Sequence, residues 1–210
     1  MHGISLEEKQ QQFNEFFTIE HAIRVNFKAV AAGFTLPHVD DLGEHMPYAF
    51  RVASEATAID AQALRPLRNM GEHAVELANF LNAQSRKIDL LMSLVLQQQD
   101  DPSLAYESVK FGGGGIIVKC DEAYEPEQII ELKLFLKEEA SAIFCYGEVI
   151  SCERVDAQSD DQSSAKAPEQ YHVSLIYNCI REEDQDLLVR ASLHLQTAQL
   201  RKRAKQQKND

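Results

Sequence analysis

Four consecutive glycines, Gly112 to Gly115, run straight into the β-branched stretch Ile116, Ile117, Val118. Glycine has no Cβ, so such a run lets the backbone take φ > 0, or lets a second backbone or a ligand come close. A phosphate-cradling loop would follow its glycines with Lys-Ser/Thr and a helix, and a dinucleotide fingerprint would open a helix inside the glycine pattern. Here the glycines feed a strand. The expectation is therefore a tight turn or bulge at the corner of a β structure, with a helical half before it and an all-β half after it.

The helical half carries the clearest periodicity. Leu67, Ala74, Leu81, Ile88 and Val95 recur every seven residues, and so do Met70, Leu77, Gln84, Leu91 and Gln98, three residues further on. That spacing predicts a coiled-coil seam on a helix that starts near Pro66, and Phe80, Leu94, Ala78 and Met92 widen the stripe beyond a two-stranded seam. Residues 48–64 predict a shorter helix, too short to cover the stripe within one chain. Self-association through Leu67, Met70, Leu77, Leu81, Gln84, Ile88, Leu91 and Val95 is the expected consequence.

The β half reads as short strands at residues 107–111, 115–120, 128–136, 142–153 and 171–177. Within it Ile130, Leu132, Leu134 and Leu136 alternate with Glu131, Lys133 and Phe135, a strand with one buried face. Residues 16–30 suggest a helix entry passing into a strand, 33–47 a loop, and 156–170 a mobile hairpin loop without bulky apolar groups. A last helix is predicted over 182–205, acidic at its start and basic at its end, docking through Leu188, Ala191, Leu195 and Ala198.

Composition removes several function classes. The formal net charge of −12 argues against a nucleic-acid partner. No apolar run is long enough for membrane insertion, and the polar, glutamine-rich start is unlike a signal peptide, so a cytoplasmic protein is expected. Cys120, Cys145, Cys152 and Cys179 lie in separate apolar segments without a C-x-x-C pair and read as reduced core thiols. The histidines form no metal-binding spacing. No catalytic constellation singles itself out, so no enzyme is expected.

A Gly-Gly-apolar strand start, a Glu/Lys-punctuated strand, a strand with Gly147, Glu148 and Val149, a final strand over 171–177, and an acid-started helix with Leu187 and Leu188 follow in that order. The series resembles the PilZ family. The resemblance implies an α+β fold: a six-stranded antiparallel β-barrel with a C-terminal helix, plus an inserted long-helix coiled-coil region that oligomerises. The implied organisation is an N-terminal segment over 1–15, a first barrel strand in 16–32, the helical insertion over 33–103, the rest of the barrel and the last helix over 104–205, and a tail over 206–210.

PilZ domains bind cyclic di-GMP through Arg-x-x-x-Arg before the first strand and Asp/Asn-x-Ser-x-x-Gly at the second. Arginine forks bridge phosphates and stack on guanine. Here the first motif becomes Glu20-His21-Ala22-Ile23-Arg24, with a carboxylate where an arginine should stand. In the second, one register puts Lys110 at the acid position and Gly112 at the serine, ending on Gly115. The other, ending on Gly113, puts Ser108 and Lys110 there.

What remains is a degenerate site of Arg24, Lys110, Gly112 and Gly115, and no cofactor is expected to bind tightly. A divergent barrel split by heptad helices is similar to a PilZ subclass that forms a helical-bundle tetramer without the nucleotide. The function this implies is a non-catalytic, homo-oligomeric adaptor, tetrameric through the heptad helices, with a protein partner in bacterial cyclic di-GMP signalling, motility or type IV pilus control. The alternative is a cyclic di-GMP receptor with a variant site.

Overall fold

The computed structural model describes residues 5–15, 17–67, 75–155 and 169–206. Among these, seven strands make one antiparallel sheet: β1 (Thr18–Glu20), β2 (Arg24–Ala29), β3 (Ala105–Gly112), β4 (Gly115–Cys120), β5 (Ile129–Leu136), β6 (Ser141–Val155) and β7 (Gln170–Cys179). β1 and β2 both pair with β3, Thr18 opposite Gly112 and Arg24 opposite Glu107, so they are one strand interrupted at residues 21–23. Counted so, the order around the ring is β1/β2, β5, β6, β7, β4, β3, and β3 closes it against β1/β2. This is the six-stranded antiparallel barrel that the sequence suggests. Of the expected hairpin loop over 156–170, residues 156–168 lie outside the described residues.

The interruption has a definite chemistry. Buried Ser108 on β3 donates its hydroxyl to the carbonyl of His21 (2.8 Å) and accepts from the N–H of Ile23 (3.0 Å), while its own N–H donates to the Ile23 carbonyl (3.0 Å). Facing the break, β3 shifts register against β4 between Ser108 and Lys110. One hydroxyl thus satisfies backbone groups that the broken ladder leaves over.

Alternation fills the barrel as β5 predicts. Ile130, Leu132, Leu134 and Leu136 point inward to meet Val25, Phe27, Phe111, Ile116, Val118, Ile143, Val149, Val173 and Leu175. Leu188 and Ala191 of α5 (Glu182–Gln206) join the same core from outside the sheet. The first turn of α5 holds Asp184, buried and gripped by Arg181 through Nε (2.8 Å) and an Nη (3.0 Å). Burial raises the Asp184 carboxyl pKa against the opposing pull of Arg181.

A second apolar layer lies on the outside of β5 and β6. Phe135, Ala142, Phe144 and Tyr146 receive Leu42 and Met46 from α2 (Leu42–His45) and its end, Phe50 and Ala53 from α3 (Tyr48–Leu67), and Leu96 from α4 (Val75–Gln97). Residues 33–47, expected as loop, therefore include a short helix, because Leu42 and Met46 bury themselves on the barrel wall. Pro66 lies within α3 instead of opening the next helix. The start of α3 and the end of α4 meet at this layer, so α3 leaves the barrel and α4 returns to it as a helical stalk.

Replacing Ser108 with alanine leaves the Ile23 N–H buried without its acceptor. The expected loss is roughly 1–3 kcal/mol of stability, read as a lower denaturant midpoint at unchanged slope.

Candidate functional site

Of the residues of the degenerate nucleotide site, Arg24 lies on β2 and Lys110, Gly112 and Gly115 on the β3–β4 hairpin, and each is engaged. Arg24, at the start of β2, donates through Nε to Asp100 Oδ2 (2.9 Å). Asp100 Oδ1 accepts from Asn26 Nδ2 (2.7 Å), and the Asp101 N–H donates to Asn26 Oδ1 (2.8 Å). The end of the stalk is thus bonded to the first residues of β2. Lys110 sits 3.1 Å from Glu20, its cross-strand neighbour on β1. The carboxylate that replaces the first motif arginine is therefore the partner of the lysine that stands in the second motif.

The glycines serve close packing. A Cβ on Gly112 would fall on the Phe17 carbonyl, and one on Gly115 would meet the Leu175 carbonyl and the Phe13 ring. Among the described glycines only Gly33, at +84°, has φ in the left-handed region, so close approach of backbone at Gly112 and Gly115 and of the Val189 side chain at Gly113, and not positive φ, accounts for these three glycines. Ser108, a candidate for the acid position in the second motif, spends its hydroxyl on the strand break.

A cleft of about 600 Å³ opens beside Arg24, between the last turns of α4, the strand break and the β5–β6 turn. Arg24 and Lys137 line it together with Asp100, Glu107 and Glu138. Lys110 and the glycines lie outside its walls. With three carboxylates to two cations, the cleft repels a dianion more than it attracts one.

The oligomerisation residues are the other candidate site. Leu77, Leu81, Gln84, Ile88, Leu91 and Val95 all lie on α4. Leu67 falls on α3, and Met70 is outside the described residues. The heptad count runs across two helices because periodicity registers spacing and not chain direction. On α4, Leu77, Phe80, Leu81, Ile88, Leu90, Leu91, Leu94 and Val95 are all exposed, Leu91 by 63% and Leu94 by 59%. Contact with α3 leaves this face uncovered. Among the described side chains of α4, Leu96 alone is buried, at the barrel.

The cysteines are free thiols, with Cys120, Cys145 and Cys179 buried and Cys152 half-buried. Burial pushes the Cys120 thiol up to about 12, which leaves it inert as a nucleophile. No helix among the described residues is long and apolar enough to cross a membrane.

Fold and site together define a closed antiparallel β-barrel that carries a helical stalk with an unpartnered apolar face. No protein-family model matches the sequence, and no curated protein does. A solved structure does resemble it: a pathogenic protein of Xanthomonas campestris, described as a tetrameric PilZ domain self-assembled via a helical bundle. The likeness has a TM-score of 0.54 at 14% identity and covers 92% of this chain and 96% of that one. At that identity the shared property is the fold, a PilZ-like barrel with helices added. Sequence reasoning missed Asp100 as the shared partner of Arg24 and Asn26, because both contacts span more than seventy residues and no local pattern announces them.

Gly112→Ala forces the Phe17 carbonyl away from β3. Overpacking of this kind removes about 1–3 kcal/mol, which thermal unfolding will register as a lowered Tm.

Proposed function

We propose that this chain is a non-catalytic PilZ-type adaptor that assembles through its stalk, as a tetramer, and displays several barrels to a protein partner in bacterial signalling or motility control. The observation that carries the reading is the exposed apolar face of α4, eight large side chains on one helix of 23 residues. A contiguous patch of that kind on a soluble chain marks an interaction surface. Burying each side chain is worth roughly 1.5–3 kcal/mol, so a few such residues from each copy suffice for stable association. Gln84, half-buried within the stripe, acts as the polar seam residue that sets register. The similarity to a tetramer built on a helical bundle supports the same stoichiometry.

Binding of cyclic di-GMP is not part of this function. Asp100 holds Arg24, Glu20 holds Lys110, and backbone and an aromatic ring fill the space beside the glycines. A receptor with a variant site is the second reading, favoured only by the cleft beside Arg24. The proposed setting is the cytoplasm, with the assembly giving avidity for a repeated target.

Light scattering after size exclusion is expected to give about four times the 23.7 kDa chain mass. Leu81→Asp combined with Ile88→Asp is expected to reduce it to one chain with the β signal in circular dichroism retained; a monomeric unmodified protein refutes the assembly. Calorimetric titration with cyclic di-GMP is expected to give no heat at tens of micromolar ligand, whereas sub-micromolar binding selects the second reading.

A further inference from the structure

The N-terminal helix α1 (Leu6–Glu15) has only two apolar residues in ten, Leu6 and Phe13, yet it docks on the outer barrel wall through Lys9, Gln10 and Phe13. Lys9 Nζ lies 2.6 Å from Glu148 Oε1, and this carboxylate is almost wholly buried on β6. Asn178 Nδ2 donates to its other oxygen at 2.7 Å. Four residues on, Phe13 is buried with its ring in the space that a side chain at position 115 would fill.

The sheet builds this seat. Glu148 pairs with Ile176 and Ile176 with Gly115, so anion, apolar floor and glycine notch lie in one row across β6, β7 and β4. Lys9 and Phe13, one helical turn apart on one face, span that row. Two register irregularities flank it, between Val149 and Ser151 and between Tyr146 and Gly147, the latter opposite Asn178. The first frees the Ile150 carbonyl, which accepts from Gln10 Nε2 at 2.8 Å. Bulges that re-aim polar groups toward one spot are features of binding surfaces.

We propose that this row is a docking groove for a helix of a partner protein, one that presents a cation and, a turn later, an aromatic ring, and that α1 occupies the groove in the isolated chain. A ten-residue polar helix is marginal on its own and is held here by an ion pair, a glutamine and one ring. A longer or more apolar helix with the same two anchors therefore displaces it. An identical α1 from a second copy has no such advantage, because the native helix is tethered two residues from β1 and competes at high local concentration. The groove is separate from the stalk, so the proposal stands independently of the assembly described above.

The test keeps the full chain and undocks α1 with Lys9→Ala and Phe13→Ala, in the Leu81→Asp/Ile88→Asp background so that the stalk plays no part. A fluorescein-labelled peptide of residues 5–15 serves as the probe, read by polarisation. Binding to the undocked chain is expected to be at least about tenfold tighter than to the chain with native α1, which competes at a roughly millimolar effective concentration. Adding Glu148→Gln, or alanine in place of the phenylalanine in the peptide, should weaken binding by at least about tenfold, the equivalent of one lost anchor. Equal binding to the two chains, absence included, overturns the proposal. A dimer mass in a mixture of the docked and undocked chains also overturns it, since it assigns the groove to a second copy. Should the undocked chain fail to fold, hydrogen exchange on the native chain decides: residues 6–15 must exchange faster under excess peptide, and unchanged exchange sinks the idea.

Discussion

The rest of the molecule depends on one strand buried on both faces. From Ala142 to Ile150 every residue of β6 is buried, a pattern unusual in an antiparallel sheet, where one face commonly meets water. Its inner side chains, Ile143, Cys145 and Val149, belong to the barrel core. Its outer ones divide the wall between two tenants. Ala142, Phe144 and Tyr146 hold the root of the stalk, with Phe144 and Tyr146 edge to face at 5.5 Å and Phe50 of α3 against Phe135 of β5 at 6.0 Å. The Glu148 carboxylate and the Ile150 carbonyl hold α1.

Charge chemistry that could serve a ligand is turned inward to hold the chain together. Arg24 and Asn26 spend their hydrogen bonds on Asp100 and Asp101, and so tie the end of α4 to the first full barrel strand. Asp101 then caps the turn that follows, accepting from the Ser103 N–H at 2.9 Å. The hydrogen bond from the Ser103 hydroxyl (2.6 Å), and after it the one from the Ser103 N–H, hold the Asp101 carboxyl below its usual range. An anion entering the cleft would have to compete with a carboxylate already hydrogen-bonded on both oxygens. The stalk and a nucleotide thus make opposing demands on the same arginine, which is the physical ground for the proposal that this barrel does without the ligand.

Much of the fold was legible because it is written in local periodicity. Period-two alternation located β5 and its inward face, the heptads located the exposed stripe of α4, and the charge order of α5 located its ends. What stayed hidden was set by contacts between distant residues. The break between β1 and β2 depends on Ser108, eighty-five residues from Ile23, and nothing around His21 announces an interrupted strand. The reversal between α3 and α4 was invisible to a seven-residue count, which therefore put Leu67 and Leu81 on one helix. The docking of α1 escaped notice for the same reason: Lys9 reads as a solvated charge until β6 places a buried carboxylate beside it. At the degenerate site the sequence names Arg24 and Lys110 as the surviving cations, but it could not say that Asp100 and Glu20 hold them.

The barrel and the stalk differ in where their stability comes from. Inside the barrel, apolar side chains find partners within the chain, so its folding is independent of concentration. α4 extends about 35 Å at 1.5 Å per residue, and only its last turns are covered by the barrel, through Leu96 and Met92. Helices owe most of their stability in proteins to packing of an apolar face. In the assembly proposed above, the outer part of α4 gains that packing from other chains, so its order is expected to rise with protein concentration as mass action requires. The joint at Asp100 lies where these two regimes meet. Because it bonds the stalk to β2 by side chain and backbone together, stalks that associate as proposed would fix the direction in which each barrel points. A change at the joint therefore alters the spacing of displayed surfaces without touching either the barrel core or the seam.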